Sequence, residues 1–404
     1  MTALAPPENK TALFASSRAM WCQFAAVMFL AVFGRVLMWN QRPPDMAIYL
    51  EPWVAHIVHY GPIQAFAHPF SNYAPAYLYL LALGSFTHDL LSTLVMVKIL
   101  SLLGTLFLTA SVANLLKAVG ADWRGALLVL ILPSIAINDA KLAQCDALWA
   151  GSCVMALAAM IRGRTLSAML WWGVAIAFKA QGVFIAPVML GAMIGRRAPL
   201  WHWAVPGVVY LATILPPFLL GWPLSDLLTV YLQQAQTNQL AGRLPNPWML
   251  FTVFGEQRAA AFFPIGYAAA GAAAVTIGAL AARNARDPRI LILLGALAGT
   301  ALPFLLPKML ERYYFLGDVM TLALAISMRN FLSGLAVRAV QLASVLGHLT
   351  YIYFYDDPWL ALAGAIFAAA GLGALCALAA PSFMVMAKAT AWRLKLRRRE
   401  DFAG

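Results

Sequence analysis

Charge is scarce: Asp, Glu, Lys and Arg make up 11% of the 404 residues, against about 25% in a soluble domain. With 62% hydrophobic residues, that excludes a soluble enzyme and a disordered chain alike. Apolar and polar residues do not alternate in segments of roughly ten, which excludes an outer-membrane β-barrel. Cysteine is sparse as well. Cys22, Cys145, Cys153 and Cys376 are far apart and mostly inside apolar runs, so they give neither a disulfide framework nor a zinc spacing and read as packing residues. There is no Gly-rich phosphate loop. Glu51, His56, His59 and His68 share one stretch, but at spacings that match no compact metal motif; a divalent cation is therefore possible but not indicated.

What is present is one long apolar run after another, the composition of a multispanning membrane protein. The formal net charge of +12 is dispersed as basic pairs between those runs. No aromatic–basic surface tracks a phosphate backbone, so nucleic acid is not an expected partner and the charge is a topology signal. The first run, 20–38, is long for a signal-peptide core and lacks a small-residue cleavage site, so it reads as a retained anchor.

Short cytoplasmic loops collect Lys and Arg. Basic feet at Lys10 and Arg18, Lys117 and Arg124, Arg162 and Arg164, Arg196 and Arg197, Arg283 to Arg289, Arg329 and Arg338, and the tail Arg393 to Arg399 therefore divide the chain into hairpins with both termini inside. The expected architecture is all-α and polytopic, a single membrane domain over 1–404 with about twelve spans. These are 20–38, 94–116, 125–138, 147–161, 166–179, 182–194, 203–220, 261–282, 290–306, 314–329, 338–355 and 359–380. The apolar piece 74–87 is assigned to a re-entrant or interfacial helix in the first outer loop, 39–93, because counting it as a crossing puts Lys117 and Arg124 outside. A second large outer loop covers 221–260, and 388–404 is a basic cytoplasmic tail suited to anionic membrane lipid.

The hairpin apices then share one face and hold most of the carboxylates: Asp45, Glu51, Asp139, Asp146, Asp226, Glu256, Glu311, Asp356 and Asp357. Ionisable groups at membrane depth default to functional candidates. Asp45, behind Pro43 and Pro44 and sheltered by aromatic residues that include Tyr73 and Tyr77, suits a general base; a solvated loop aspartate is the alternative. Asn138, Asp139, Lys141, Gln144 and Asp146 crowd one apex and suit a polyhydroxylated group, against a hydrated turn with Asp146 as helix cap. Lys179 and Gln181 stand nearly alone in an apolar stretch, and Lys308, Glu311, Arg312 and Tyr313 form another apex. Lys and Arg converging there hold a phosphate, or else anchor helix ends at headgroups. The amide run Gln233, Gln234, Gln236, Asn238 and Gln239 fits sugar hydroxyls or an exposed polar helix equally.

In order and spacing, over most of the chain, these residues resemble the polyprenyl-phosphate-sugar-dependent membrane glycosyltransferases of the GT-C superfamily, particularly bacterial relatives of the second mannosyltransferase of glycosylphosphatidylinositol assembly. Asp45 matches the acidic residue after the first span. Tyr73, Pro75 and Tyr77 match a Tyr-Pro-rich re-entrant helix, and Gln144 and Asp146 a Trp-Gly-Gln-x-Asp apex. Lys179 and Gln181 match a Lys-x-Gln pair; Pro307, Met309, Glu311, Arg312 and Tyr313, with Asp318 following, match a Pro-x-Met-His-Glu-Arg-Tyr motif. The chain departs from the pattern at Leu142 and Ala143, which replace Trp-Gly, at Leu310, which replaces the His, and at Ala74, which replaces a Pro.

The resemblance implies a GT-C-like bundle and an inverting hexosyl transfer, mannose favoured. The donor is a polyprenyl-phosphate sugar, and the acceptor a glycan, lipid or protein hydroxyl on the outer side of a bacterial cytoplasmic membrane. In that reading Asp45 is the base and Lys308, Arg312 and Lys179 hold the donor phosphate. Glu51, Tyr73, Tyr77, Asp139, Lys141, Gln144, Asp146, Gln181, Glu311 and Tyr313 contact substrate, and no cofactor is required. A catalytically silent sugar-binding member is a further reading, prompted by Leu310. Twelve spans also suit a lipid-linked-sugar flippase or secondary transporter, whose mark is two related halves with broken helices at midplane. The sequence has no such symmetry, and its charges gather at one face.

Overall fold

The computed structural model describes residues 17–235, 243–254, 262–355 and 357–401. Lys10, Gln236, Asn238, Gln239, Glu256 and Asp356, named above, lie outside them. Along the chain run α1 Ser17–Met38, α2 Glu51–Tyr60, α3 Pro75–Ser85, α4 Thr93–Ala118, α5 Pro133–Ala136, α6 Asp146–Ile161, α7 Thr165–Phe178 and α8 Ala186–Gly195. Then follow α9 Val205–Leu220, α10 Leu224–Ala235, α11 Met249–Phe254, α12 Phe263–Arg283, α13 Pro288–Leu305, α14 Phe315–Met328, α15 Phe331–Tyr353 and α16 Trp359–Asp401. Among the described residues there is no β-strand, only an isolated antiparallel bridge between Arg243 and Leu310.

Seven helices are long and apolar enough to cross a membrane, with an eighth if the pair Trp123–Ile131 and Pro133–Lys141, bent by 56°, counts as one broken span. Pro133 explains the break, since it lacks the N–H that would continue the preceding turn. The other expected spans coincide with the shorter apolar helices Asp146–Ile161, Thr165–Phe178, Ala180–Gly195 and Phe315–Met328. α3 has 11 residues, roughly 16 Å of helix, too short for a hydrocarbon layer of about 30 Å. The long helices differ in depth: 72% of the Pro288–Leu305 window is buried against 11% of Trp21–Met38, so α13 is central and α1 peripheral.

The helix ends sort by chemistry. Lys117, Arg162, Arg164, Arg196, Arg283 and Arg329 sit at one end of the bundle, and local bonds draw several together. The Arg162 guanidinium donates to the Asn114 carbonyl at 2.8 Å, and that of Arg196 to the Ile161 carbonyl at 3.2 Å. Helices restarting there are capped: Asp287 accepts from the Arg289 and Ile290 amides, and Asn330 forms a capping box with Ser333.

The α13–α14 hairpin is held tight at its far end because Gly317 lies against Gly299. A side-chain carbon on Gly317 would come within 2.8 Å of the Gly299 carbonyl oxygen, a backbone approach only small residues permit. Gly317→Leu is therefore expected to push the two helices apart and destabilise the fold by about 1–3 kcal/mol or more, read as a fall in melting temperature in detergent; an unchanged melting temperature would discount this contact.

Candidate functional site

The end of the bundle opposite those arginines is where the chain breaks its helices, and each break carries a polar side chain. α1 stops at Met38, and its last carbonyls find a partner in Lys98, a fully buried lysine of α4. The Lys98 ammonium donates to the carbonyls of Met38 at 3.1 Å and Gln41 at 2.7 Å, and to that of Trp39. It thus fixes the segment running through Pro43 and Pro44 to Asp45. The Asp45 carboxylate accepts from Gln144 Nε2 at 2.9 Å and from the Tyr351 hydroxyl at 3.2 Å. Its side chain is 21% exposed, and Arg312 Nη2 lies 3.7 Å from Oδ2.

Beyond the bend of α5 the chain makes a wide turn at Ile137–Lys141, closed by Gln144 N–H on the Asn138 carbonyl at 3.0 Å. Ala143 takes φ +53 there. Asp146 opens α6 but does not cap it. Its carboxylate accepts from Asn138 at 2.9 Å, from the Trp149 indole at 2.8 Å and from the Lys179 ammonium at 2.7 Å. Lys179 stands where α7 ends, 5.5 Å from the centre of the Tyr73 ring, which packs against Trp53 and Tyr77.

The third component is the link between α13 and α14. Pro303 and Pro307 end α13 early, and the carbonyls this frees are taken by Asn246 Nδ2, 3.3 Å from the Leu306 oxygen, and by Trp248 Nε1, 2.9 Å from that of Leu305. The Tyr314 hydroxyl donates to the Pro245 carbonyl at 2.6 Å. Arg312 is thereby aimed inward. Its Nη1 donates to Glu311 at 2.6 Å, its Nε lies 3.7 Å from Asp146 and its Nη2 faces Asp45. Glu311 is fully buried, and its second oxygen has no partner among the described residues.

Asp45, Gln144, Asp146, Lys179, Glu311 and Arg312 thus form one network, with Tyr73 on its wall. Three carboxylates face two cations. Burial pushes the Tyr73 phenol up to about 12, against the lowering influence of Lys179, so it stays neutral. The neighbouring Cys145 thiol is pushed up to about 11 by the same burial, which leaves it a poor nucleophile. Burial disfavours the Arg312 charge, but Glu311 and Asp45 outweigh it and hold the guanidinium protonated well above its ordinary range.

Other expected members stand apart. Glu51 pairs with Arg42, on which it accepts from Nε at 2.9 Å. Asp139 is buried against Arg35, at 2.7 Å, and the Thr105 hydroxyl, at 2.8 Å, a tie between α1 and α4. Lys141 sits 5.1 Å from the Tyr353 ring, and Lys308, with φ +62, sits 5.7 Å from the Phe263 ring. The Gln181 side-chain oxygen Oε1 is buried with no partner among the described residues, and Tyr313 packs edge-on to Phe184. Among the described residues no cluster of three or more His, Cys, Asp or Glu could hold a metal.

The sequence reading missed Tyr351, Lys98, Arg35 and Arg243, which bridges to Leu310 and lies 4.5 Å from the Tyr355 ring. Arg35 and Lys98 had a visible signal, each a lone cation inside an apolar run. Lys98→Met is expected to strand three carbonyls, costing about 1–3 kcal/mol, and to loosen the Asp45 segment. Thermal melting together with protease sensitivity near residue 41 checks this; a variant unchanged in both removes Lys98 from that role.

No protein-family profile matches the sequence, and no curated protein is similar to it. Among solved structures, the chain is similar to ArnT from Cupriavidus metallidurans bound to undecaprenyl phosphate. The TM-score is 0.52 at 16% identity, over 89% of this chain and 76% of that one. The apo state of the same protein aligns with a TM-score of 0.43 at 17% identity, over 89% and 78%. The first likeness shows a shared fold: this chain is an all-α, multi-pass membrane protein with the architecture of that structure.

Proposed function

We propose that the chain is a membrane glycosyltransferase that moves a sugar from a polyprenyl-phosphate donor to an acceptor hydroxyl. The observation that carries the reading is the 3.7 Å approach of Asp45 to Arg312 in a network that already contains Asp146 and Lys179. The approach is loose, while Glu311 holds the same guanidinium at 2.6 Å. A donor phosphate arriving at Nη2 takes the place of Asp45 on Arg312, and the released carboxylate faces the acceptor. Asp45 then accepts the hydroxyl proton as the acceptor oxygen bonds to the anomeric carbon, and the bond from that carbon to the phosphate oxygen breaks. Arg312 and Lys179 stabilise the charge that develops on the departing phosphate. Attack from the face opposite the leaving group inverts the anomeric centre.

Three carboxylates against two cations leave this centre short of positive charge for an anionic donor, so Lys308, Lys141 and Arg243, which meet aromatic rings outside the network, are proposed to turn toward the phosphate when the donor binds. Tyr73, Tyr77, Gln144 and Gln181 are proposed to contact sugar, through ring faces and amides. Mannose is favoured through the GT-C resemblance, as is an outer-leaflet site: the basic helix ends lie opposite the network, and basic ends face the cytoplasm. ArnT was seen with undecaprenyl phosphate, and that lipid is the donor carrier proposed here.

Purified protein given polyprenyl-phosphate mannose and a mixture of glycan and lipid acceptors is expected to release polyprenyl phosphate and form an inverted glycoside, followed by mass spectrometry. Movement of the lipid-linked sugar across proteoliposomes with no covalent product would make it a flippase instead.

A further inference from the structure

At the opposite end from Asp45, a cavity of about 470 Å³ opens where α4, α6 and α7 meet. It is lined by Met155 and Ala159 of α6, by Asn114 of α4, by Ser167 and Trp171 of α7, and by Arg162 and Arg164 of the turn between α6 and α7. Among the described residues, no carboxylate lines it. Arg162 is prepositioned there, since one guanidinium nitrogen is held by the Asn114 carbonyl at 2.8 Å and the Asn114 side-chain oxygen at 2.9 Å. Asn114 is itself oriented by Met155, its amide 3.2 Å from the sulfur. Arg164 makes no ion pair among the described residues; it immediately precedes α7, and Ser167 lies in the first turn of that helix.

The surface changes character away from the arginines. Trp171 packs against Phe107 of α4 with ring centres 5.9 Å apart. Leu103, spaced four and eleven residues from Phe107 and Asn114, continues the same face of α4. Leu103 is 55% exposed and Leu170, beside Trp171, 44%. A cationic recess with hydroxyl and amide groups therefore adjoins a pair of aromatic rings and exposed leucines.

We propose that this recess binds an anionic glycerophospholipid, the headgroup phosphate on Arg162, Arg164 and Ser167 and an acyl chain along Phe107, Trp171 and Leu103. Two guanidinium groups with no carboxylate partner among the described residues suit a phosphate, which each can meet through paired N–H donors. A free phosphate uses only those donors; a phospholipid also covers the aromatic and leucine surface, and the bilayer supplies it at high local concentration. The site is separate from the Asp45 network and does not rest on the function proposed for it.

The test uses the full-length chain, stripped of lipid in detergent and given equal mole fractions of phosphatidylglycerol or phosphatidylcholine, or inorganic phosphate alone. Phosphatidylglycerol is expected to stay bound as a one-to-one adduct in native mass spectrometry and to raise the melting temperature more than either alternative. Arg164→Gln and Ser167→Ala, which leave the Arg162–Asn114 bond in place, are each expected to weaken phosphatidylglycerol retention, the former by about fivefold or more. Arg289→Gln, at the same end but outside the recess, is expected to leave it unchanged. Equal retention of both lipids, full retention in Arg164→Gln, or equal loss in Arg289→Gln would overturn the proposal. A rise as large with phosphate alone would make the recess a soluble-anion site.

Discussion

Asp45→Asn is expected to lower the rate of sugar transfer by about 10²–10⁴-fold, the range for loss of a positioned general base, while the protein folds and extracts normally. Asparagine keeps the volume and the oxygen that accepts from Tyr351, so the wall of the site stays in place. What it loses is the ability to take a proton. Donor affinity is expected to hold or improve, because Arg312 no longer shares its Nη2 with a carboxylate 3.7 Å away. The effect should thus appear in kcat and leave KM for the donor nearly unchanged, which separates it from a loss of packing. Tyr351→Phe, which removes a single hydrogen bond to Asp45, serves as the graded control with a much smaller loss. Transfer at the normal rate by Asp45→Asn would take this carboxylate out of the chemistry.

The architecture was legible because hydrophobic runs and basic pairs report on the bilayer independently of tertiary contacts. Every span expected from them has a helix at its place, down to the 14 residues of α14 and the bent pair at Pro133. Arg312, Asp146 and Lys179 were legible for a related reason, since ionisable residues in apolar surroundings are expensive to keep. Partner choice was not legible. Asp139 and Asp146 lie seven residues apart on one apex and look equivalent in sequence, yet Asp139 meets Arg35 of α1 and Asp146 meets Lys179 behind α7. The wide turn at Ile137–Lys141 separates them, and such a turn has no sequence pattern of its own. Lys308 shows the same limit. It lies four residues before Arg312, a spacing that would bring the two together on a helix, but the chain there is irregular, with φ +62 at Lys308, and its ammonium meets Phe263.

Arg312 carries the second large effect, and its two neighbours make the outcome depend on the replacement. Arg312→Gln leaves Glu311, fully buried, without its partner at 2.6 Å. Breaking a buried pair from one side costs about 3–5 kcal/mol, so this variant is expected to aggregate or melt early. Lys179 still neutralises Asp146, so the uncompensated charge is that of Glu311. The double variant Arg312→Gln with Glu311→Gln is accordingly expected to recover the fold but not the activity. Arg312→Lys keeps the charge but not the planar fork that reaches Glu311, Asp146 and Asp45 from three separate nitrogens. It is expected to fold and to turn over about 10²–10³-fold more slowly, the range for loss of one donor at a developing oxyanion. If Arg312 acts only as a strut for the buried carboxylates, stability and activity should fall in proportion across the three variants. If it stabilises the leaving phosphate, the double variant separates the two quantities, with normal melting and no transfer. Normal turnover by Arg312→Lys or by the double variant would leave the phosphate to other cations and remove Arg312 from the proposed mechanism.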